Sequence, residues 1–317
     1  MAKQFARLLG FLILPLTAFG AAAEHGTLVR STTMHVSPGS TAEKLMEVER
    51  GRDMVVLERT NVDNKPWIKA YVTIPQQDRA PREVTGWVLA KGLVSTATPN
   101  GDQIIYGEAV DSENQAEQRG GRKGAAQDAM RLYFRVYDFF PNSPIAGEAL
   151  WRASDIRWQL EKADILPRPS SMEMDPDLRT PIDDHWMKEI EKKFPHSKWA
   201  DLAAYEMIDN KVCGDWKGLP KCPEKESEIY EHYAHEHPQS PKAAEALYNA
   251  AWRQAALVDI YRINNENDKS ANARKKALSL AQEVIAQYAQ QGDWKARALD
   301  LVYKLEQNVP VYGNQTE

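Results

Sequence analysis

Three times after residue 140 of the chain, a proline and a serine two residues on are followed by two alanines three apart and then by an aromatic residue. The copies are Pro141-Asn142-Ser143 with Ala146, Ala149 and Trp151; Pro195-His196-Ser197 with Ala200, Ala203 and Tyr205; and Pro238-Gln239-Ser240 with Ala243, Ala246 and Tyr248. The proline stops the preceding helix, because it disfavours helical geometry in the residue before it. The serine starts the next one, since its hydroxyl can accept a free backbone N–H of the first turn. Pro144 and Pro241 fall where the first helical residue is expected, a position that loses nothing by lacking an N–H. The small alanines let a neighbouring helix approach closely. Eight, five and one residues before the prolines stand Tyr133, Val136 and Phe140, then Met187, Ile190 and Phe194, then Tyr230, Tyr233 and His237. That spacing is a stripe on one helical face. The chain is therefore expected to repeat a unit of helix, Pro-Ser turn and helix. Ala281–Ala289, Gly292-Asp293 and Trp294–Leu305 suggest a fourth unit in a looser register.

The turn prolines are 54 and then 43 residues apart. The pattern aromatic-Pro-x-Ser-x-x-Ala-x-x-Ala-x-aromatic is met from Phe140 to Trp151 and from Phe194 to Tyr205, and the third copy has His237 in place of the first aromatic. It resembles the degenerate tetratricopeptide repeats of bacterial envelope proteins, whose period is about 34 residues. The surplus falls in three links: Leu166 to Asp184 with four prolines, Lys211 to Pro223 with both cysteines, and the polar, Asn-rich Arg262 to Asn272. Such links are expected to emerge along one edge of a solenoid. The resemblance implies an all-α, TPR-like helical solenoid over residues 105–309 that presents a surface to a protein or peptide partner.

The first part of the chain has a different rhythm. Between residues 27 and 95, short β-type runs such as Thr27-Leu28-Val29, Met54-Val55-Val56-Leu57, Trp67 to Thr73 and Val84 to Leu89 alternate with turn chemistry at Ser37-Pro38-Gly39 and Asn61 to Lys65. Strands at this spacing imply a small barrel or sandwich. In Trp67 to Thr73, Trp67, Lys69 and Tyr71 take one side and Ile68, Ala70 and Val72 the other. Met34-His35-Val36-Ser37-Pro38-Gly39, Glu49-Arg50-Gly51 before Met54-Val55-Val56-Leu57, Trp67-Ile68-Lys69-Ala70, and Thr85-Gly86-Trp87-Val88 with Leu93 resemble, in that order, the motifs of bacterial SH3-like domains. The resemblance implies a small all-β SH3-like barrel that contacts peptidoglycan or protein. Against it, Thr73 to Glu83 is an insertion that lengthens one loop. Trp67, Tyr71 and Trp87 are candidate binding residues for a sugar or peptide, although tryptophans such as Trp67 and Trp87 are more often core pieces of a small barrel. Thr96 to Gly101 holds strong breakers, and residues 96–104 are expected to be a linker.

Lys3 and Arg7, the apolar run Leu8 to Phe19 and the small-residue segment Ala21-Ala22-Ala23 read as a secretory signal over residues 1–23. The run is short for a membrane span, and no later segment is apolar enough, so no span is expected after cleavage. The protein is accordingly expected to be exported, periplasmic or extracellular. Without Lys3 and Arg7 the formal net charge moves from −5 to −7. A mildly acidic chain with no basic stripe is a poor nucleic-acid binder. Cys213 and Cys222 are the only cysteines, and Gly214, Gly218 and Pro220 let the chain bend back between them. In an oxidising compartment they are expected to form a structural disulfide.

Chemistry is thinly represented. No G-x-S-x-G elbow, phosphate loop or H-E-x-x-H motif is present, and neither a cofactor nor a metal is called for. Gly120-Gly121-Arg122-Lys123-Gly124 reads as a flexible, basic helix start. His232, His235 and His237 read as a solvated helix end, and Glu224 to Glu228 as a solvated charged face. The expectation is a multidomain, non-catalytic adaptor of the cell envelope. The alternative is a wall-binding protein whose repeats serve only as a spacer.

Overall fold

The computed structural model describes residues 24–76 and 79–312, except for the side chains at 76 and 79. The expected signal segment, 1–23, lies outside the described residues. The chain folds into an antiparallel sheet followed by a helical region.

Seven strands form the sheet: β1 Glu24–Leu28, β2 Thr32–His35, β3 Lys44–Val48, β4 Met54–Val62, β5 Lys65–Gln76, β6 Arg79–Leu89 and β7 Leu93–Ser95. Their order is β3-β2-β6-β5-β4-β1-β7. The expected barrel is thus an open half-barrel, with β3 and β7 as its unjoined edges. Leu28, Met34, Val48, Met54, Ile68 and Val88 come from six different strands and share one apolar cluster, so the sheet curls around its own inner face. The β4–β5 hairpin turns on Asp63 and Asn64, with φ of 53° and 57°, between the paired Val62 and Lys65. Two consecutive left-handed residues match the twist of the flanking strands, and Asp and Asn tolerate that geometry. The segment Thr73 to Glu83, expected as a lengthened loop, is not a simple loop. It continues the β5–β6 ladder through Thr73↔Glu83 and Ile74↔Arg82, whereas β4 begins only at the Met54↔Val72 pair. The hairpin therefore outruns β4, and β5 beyond Val72 has a strand partner on one side only.

Among the described residues the helices are α1 Gly101–Glu117, α2 Ala125–Phe139, α3 Ala146–Ile165, α4 His185–Lys193, α5 Lys198–Glu206, α6 Lys221–Glu236, α7 Ala243–Ile263, α8 Asn267–Gln287 and α9 Trp294–Glu306. Two boundaries differ from the sequence reading. Helix α1 starts at Gly101, inside the segment expected as a linker. The polar link at Arg262 to Asn272 shrinks to residues 264–266, where Asn265 takes a φ of 61°.

The repeat is exact in its backbone. Phe140, Phe194, His237 and Tyr288 each leave the helix at φ near −120° (−131°, −127°, −121° and −115°). Each donates its N–H to the carbonyl four residues back and accepts from the residue three ahead: Ser143, Ser197, Ser240 and Gln291. The fourth unit is therefore in register with the rest at Tyr288. Ser197 caps α5 as expected, its Oγ accepting from the Ala200 N–H at 3.2 Å. Ser143 and Ser240 instead accept from Ile145 and Lys242, two residues on (3.3 and 3.1 Å). There Pro144 and Pro241 sit in a turn ahead of the helix rather than at its first residue, a shift within the usual ambiguity of helix ends. The stripe residues Tyr133, Val136, Met187 and Ile190 are at most 1% exposed. Burying each such side chain contributes roughly 1.5–3 kcal/mol.

Helices α1, α3, α5, α7 and α9 make one layer. Tyr106 donates to Glu148 at 2.8 Å, Arg152 to Glu113 at 2.7 Å and Asn249 to Tyr205 at 3.3 Å, while Tyr248 stacks near Trp294. The others form the second layer, joined by Phe134 against Trp186 and by Lys276 with Glu231. The two long links lie against each other. Arg179 donates to the carbonyls of Asp209 and Val212, Asn210 and Ile182 exchange two hydrogen bonds, and Cys213 is disulfide-bonded to Cys222. No described helix is long and apolar enough to cross a membrane.

Candidate binding cleft

The sheet is docked on the helices through the turn before β4. Gly51 has a φ of +75°, and a Cβ there would stand 2.8 Å from Arg131 Cβ and 2.9 Å from Leu132 N. Only glycine accommodates both the conformation and the approach. On either side of it, Arg50 pairs with Glu108 at 2.5 Å and Arg52 with Glu49 at 2.8 Å. Asp128, 4% exposed, is met by three guanidinium groups: Arg122 at 2.6 Å, Arg50 at 3.4 Å, and Arg131. Arg131 also donates to the Arg50 carbonyl at 3.1 Å. Burial pushes the Arg131 pKa down, and the charges of Glu49 and Asp128 oppose that shift. Val94 of β7 lies in the same apolar cluster as Ile105, Ala109, Leu132 and Val136. A Cβ on Gly101 would come within 2.6 Å of the Phe140 ring, so the passage from sheet to helix has no slack.

This docking leaves an opening between the outer face of the sheet and the helices. Tyr71 and Thr73 on β5, with Arg52 and Asp53 before β4 and Arg131 and Arg135 on α2, enclose about 240 Å³. Pro75, at the end of the same β5 face, also borders a cavity of about 390 Å³ walled by Phe134, Ser154, Arg157 and Trp186. Arg131, Arg135 and Pro75 line both cavities, so the two form one cleft reaching from β5 to α4. Its floor is aromatic: Phe134 meets Trp186 edge-on at 4.6 Å, and Arg135 lies 5.0 Å from the Phe134 ring centre. Such a contact favours a guanidinium held out of water.

Arginine dominates the charge on the walls. Arg52, Arg131, Arg135 and Arg157 line the cleft against a single carboxylate, Asp53. Their partners stand behind or at the rim: Asp138 with Arg135 at 2.6 Å, and Asp183 with Arg157. Arg135 Nε is buried and has no hydrogen-bond partner among the described residues. The Tyr71 phenol is held above its ordinary pKa, first by a hydrogen bond with Glu83.

Of the three candidate binding residues, only Tyr71 reaches the cleft. Trp67 is 4% and Trp87 8% exposed, and the Trp67 ring packs edge-on to His35 at 5.5 Å, leaving little surface for a ligand to stack on. Sequence reasoning missed the arginines. Their one signal was the run Glu49-Arg50-Gly51-Arg52-Asp53, a charged turn around a glycine. The Gly120–Gly124 segment forms the α1–α2 connection, and its Arg122 serves Asp128. Among the described residues, no three His, Cys, Asp or Glu side chains converge as metal ligands. His235 pairs with Glu283 at 3.5 Å and His237 with Asp201 at 2.8 Å. Comparison with protein-family models and with curated proteins finds no match to this chain.

Proposed function

We propose that this protein is an exported, non-catalytic adaptor of the bacterial cell envelope, with an SH3-like half-barrel and TPR-like repeats that together hold a protein or peptide partner in the cleft between them. The observation that carries this reading is the composition of that cleft. Its walls come from both parts of the chain, and the β5–β6 extension that forms one wall is the very segment inserted relative to the SH3-like pattern. A spacer would have no need to share a pocket with the sheet. Export is supported by the N-terminal basic, apolar and small-residue pattern and by the disulfide, which is characteristic of oxidising compartments. Helical repeats usually serve recognition rather than chemistry.

Two assays separate adaptor from wall-binding spacer. Affinity capture from envelope extracts is expected to recover a saturable protein partner, and Trp186→Ala is expected to weaken that capture. Co-sedimentation with purified peptidoglycan that survives Trp186→Ala, together with no saturable protein partner, would replace the adaptor with the wall-binding alternative.

A further inference from the structure

The cleft carries an indication of what fits it, and the following rests on the adaptor reading. Two cavities of about 240 and 390 Å³ have room for the side chains of a short segment, not for a folded domain. The wall they share ends in an open strand edge, because β5 beyond Val72 pairs with β6 and not with β4. An exposed strand edge is a template for an extended peptide, which gains main-chain hydrogen bonds there. Consecutive strand residues turn their N–H and C=O to opposite edges and Pro75 has no N–H, so only one of Thr73 and Ile74 can donate along this free edge, and side chains must supply the rest of the affinity.

The side chains determine the sign of the occupant. Four arginines face the cleft against Asp53. Each already has a carboxylate neighbour, but a guanidinium carries five N–H donors in a rigid fork. Arg135 spends one nitrogen on Asp138 and its Nε is buried, so it is the remaining terminal N–H groups that an occupant of the cleft can meet. A neutral or apolar occupant would cover these donors without satisfying them, and a basic one would add repulsion. A carboxylate accepts from them, and arginine-to-carboxylate bonds are about twice as strong as neutral ones. The Phe134–Trp186 floor adds an apolar seat next to the charged one.

We propose that the cleft binds an extended acidic peptide segment. It lies along the free edge of β5, with its carboxylates against Arg131, Arg135 and Arg157 and a neighbouring apolar side chain against Phe134 and Trp186. The test uses the purified protein and a fluorescein-labelled synthetic peptide of alternating glutamate and apolar residues, followed by anisotropy, beside counterparts carrying glutamine or lysine in place of glutamate. Saturable binding is expected for the glutamate peptide, weaker by roughly tenfold or more for the glutamine peptide and undetectable for the lysine peptide. Arg157→Gln, at a half-exposed position that leaves the core intact, and Arg135→Gln are each expected to lower affinity several-fold while thermal unfolding stays unchanged for the first. Equal binding of glutamate and glutamine peptides, or full affinity in both variants, overturns the proposal. So does binding of purified peptidoglycan that depends on Arg157 when no acidic peptide binds. If a protein partner is captured through the cleft but no acidic peptide binds, the adaptor reading stands and this chemistry falls. If neither is captured, both fall.

Discussion

Glu226 sits in the middle of a charged run, 2% exposed. One of its oxygens accepts from the Cys213 N–H and the Trp216 indole, both at 3.0 Å, and the other from Arg253 at 2.8 Å. Arg253 lies in turn over the Tyr230 ring at 4.4 Å. The sequence reading of Glu224 to Glu228 as a solvated face fails here, because the partners are 10 to 27 residues away and no local pattern announces them. Arg253→Ala leaves a buried carboxylate uncompensated and is expected to cost about 3–5 kcal/mol in urea unfolding; a loss below about 1 kcal/mol would mean the carboxylate is not buried as described. Glu206 offers a pH test. Burial, then the charges of Asp155 and Asp209, push its carboxyl up to about 7. A folded pKa raised above the unfolded one adds stability below about pH 4.5 that is lost as pH rises through about 7. Glu206→Gln, neutral throughout, should therefore gain on the wild type between about pH 5 and about pH 8. A difference in urea midpoint that is flat over that range would contradict the assignment.

Among the elements, those with a strong apolar period were legible and those built from small or polar residues were not. The stripes of α2, α4 and α6 follow from the spacing before each proline. The start of helix α1, inside the expected linker, was hidden because its buried residues are Gly101, Ile105, Ala109 and Ser112, only one of them large and apolar. The β5–β6 extension read as a loop because Pro75, Pro81 and its charges mask the alternation, although strand pairing runs past them. The cleft was illegible for a related reason: its walls join residues 52–75 to residues 131–186, and only the docking at Gly51 brings them together. Gly51→Val is expected to force the sheet off α2, so that limited proteolysis cuts between residues 96 and 100 while the helices stay protected. Unchanged resistance would show that the turn tolerates a side chain. The disulfide link is a further test at this scale. It closes a loop with a sequence separation of 9, and Cys213→Ser with Cys222→Ser should lower stability by about 2–3 kcal/mol, measured by the same urea unfolding.

For the molecule as a whole, sheet and helices are joined by a shared core at Val94, Ile105 and Leu132 and an ion-pair cluster around Asp128. That junction shapes the opening in which Tyr71, the one accessible residue among those singled out from the sequence, meets four arginines and an aromatic floor. The most direct measurement is site-specific photo-crosslinking in cells, with a photoreactive phenylalanine placed at Thr73 in the cleft and, as a control, at Val36, which is 52% exposed just after β2. A discrete adduct from Thr73, absent from Val36 and lost when Trp186→Ala is added, is the expected result. Adducts from Val36 and none from Thr73 would show that the binding face lies elsewhere.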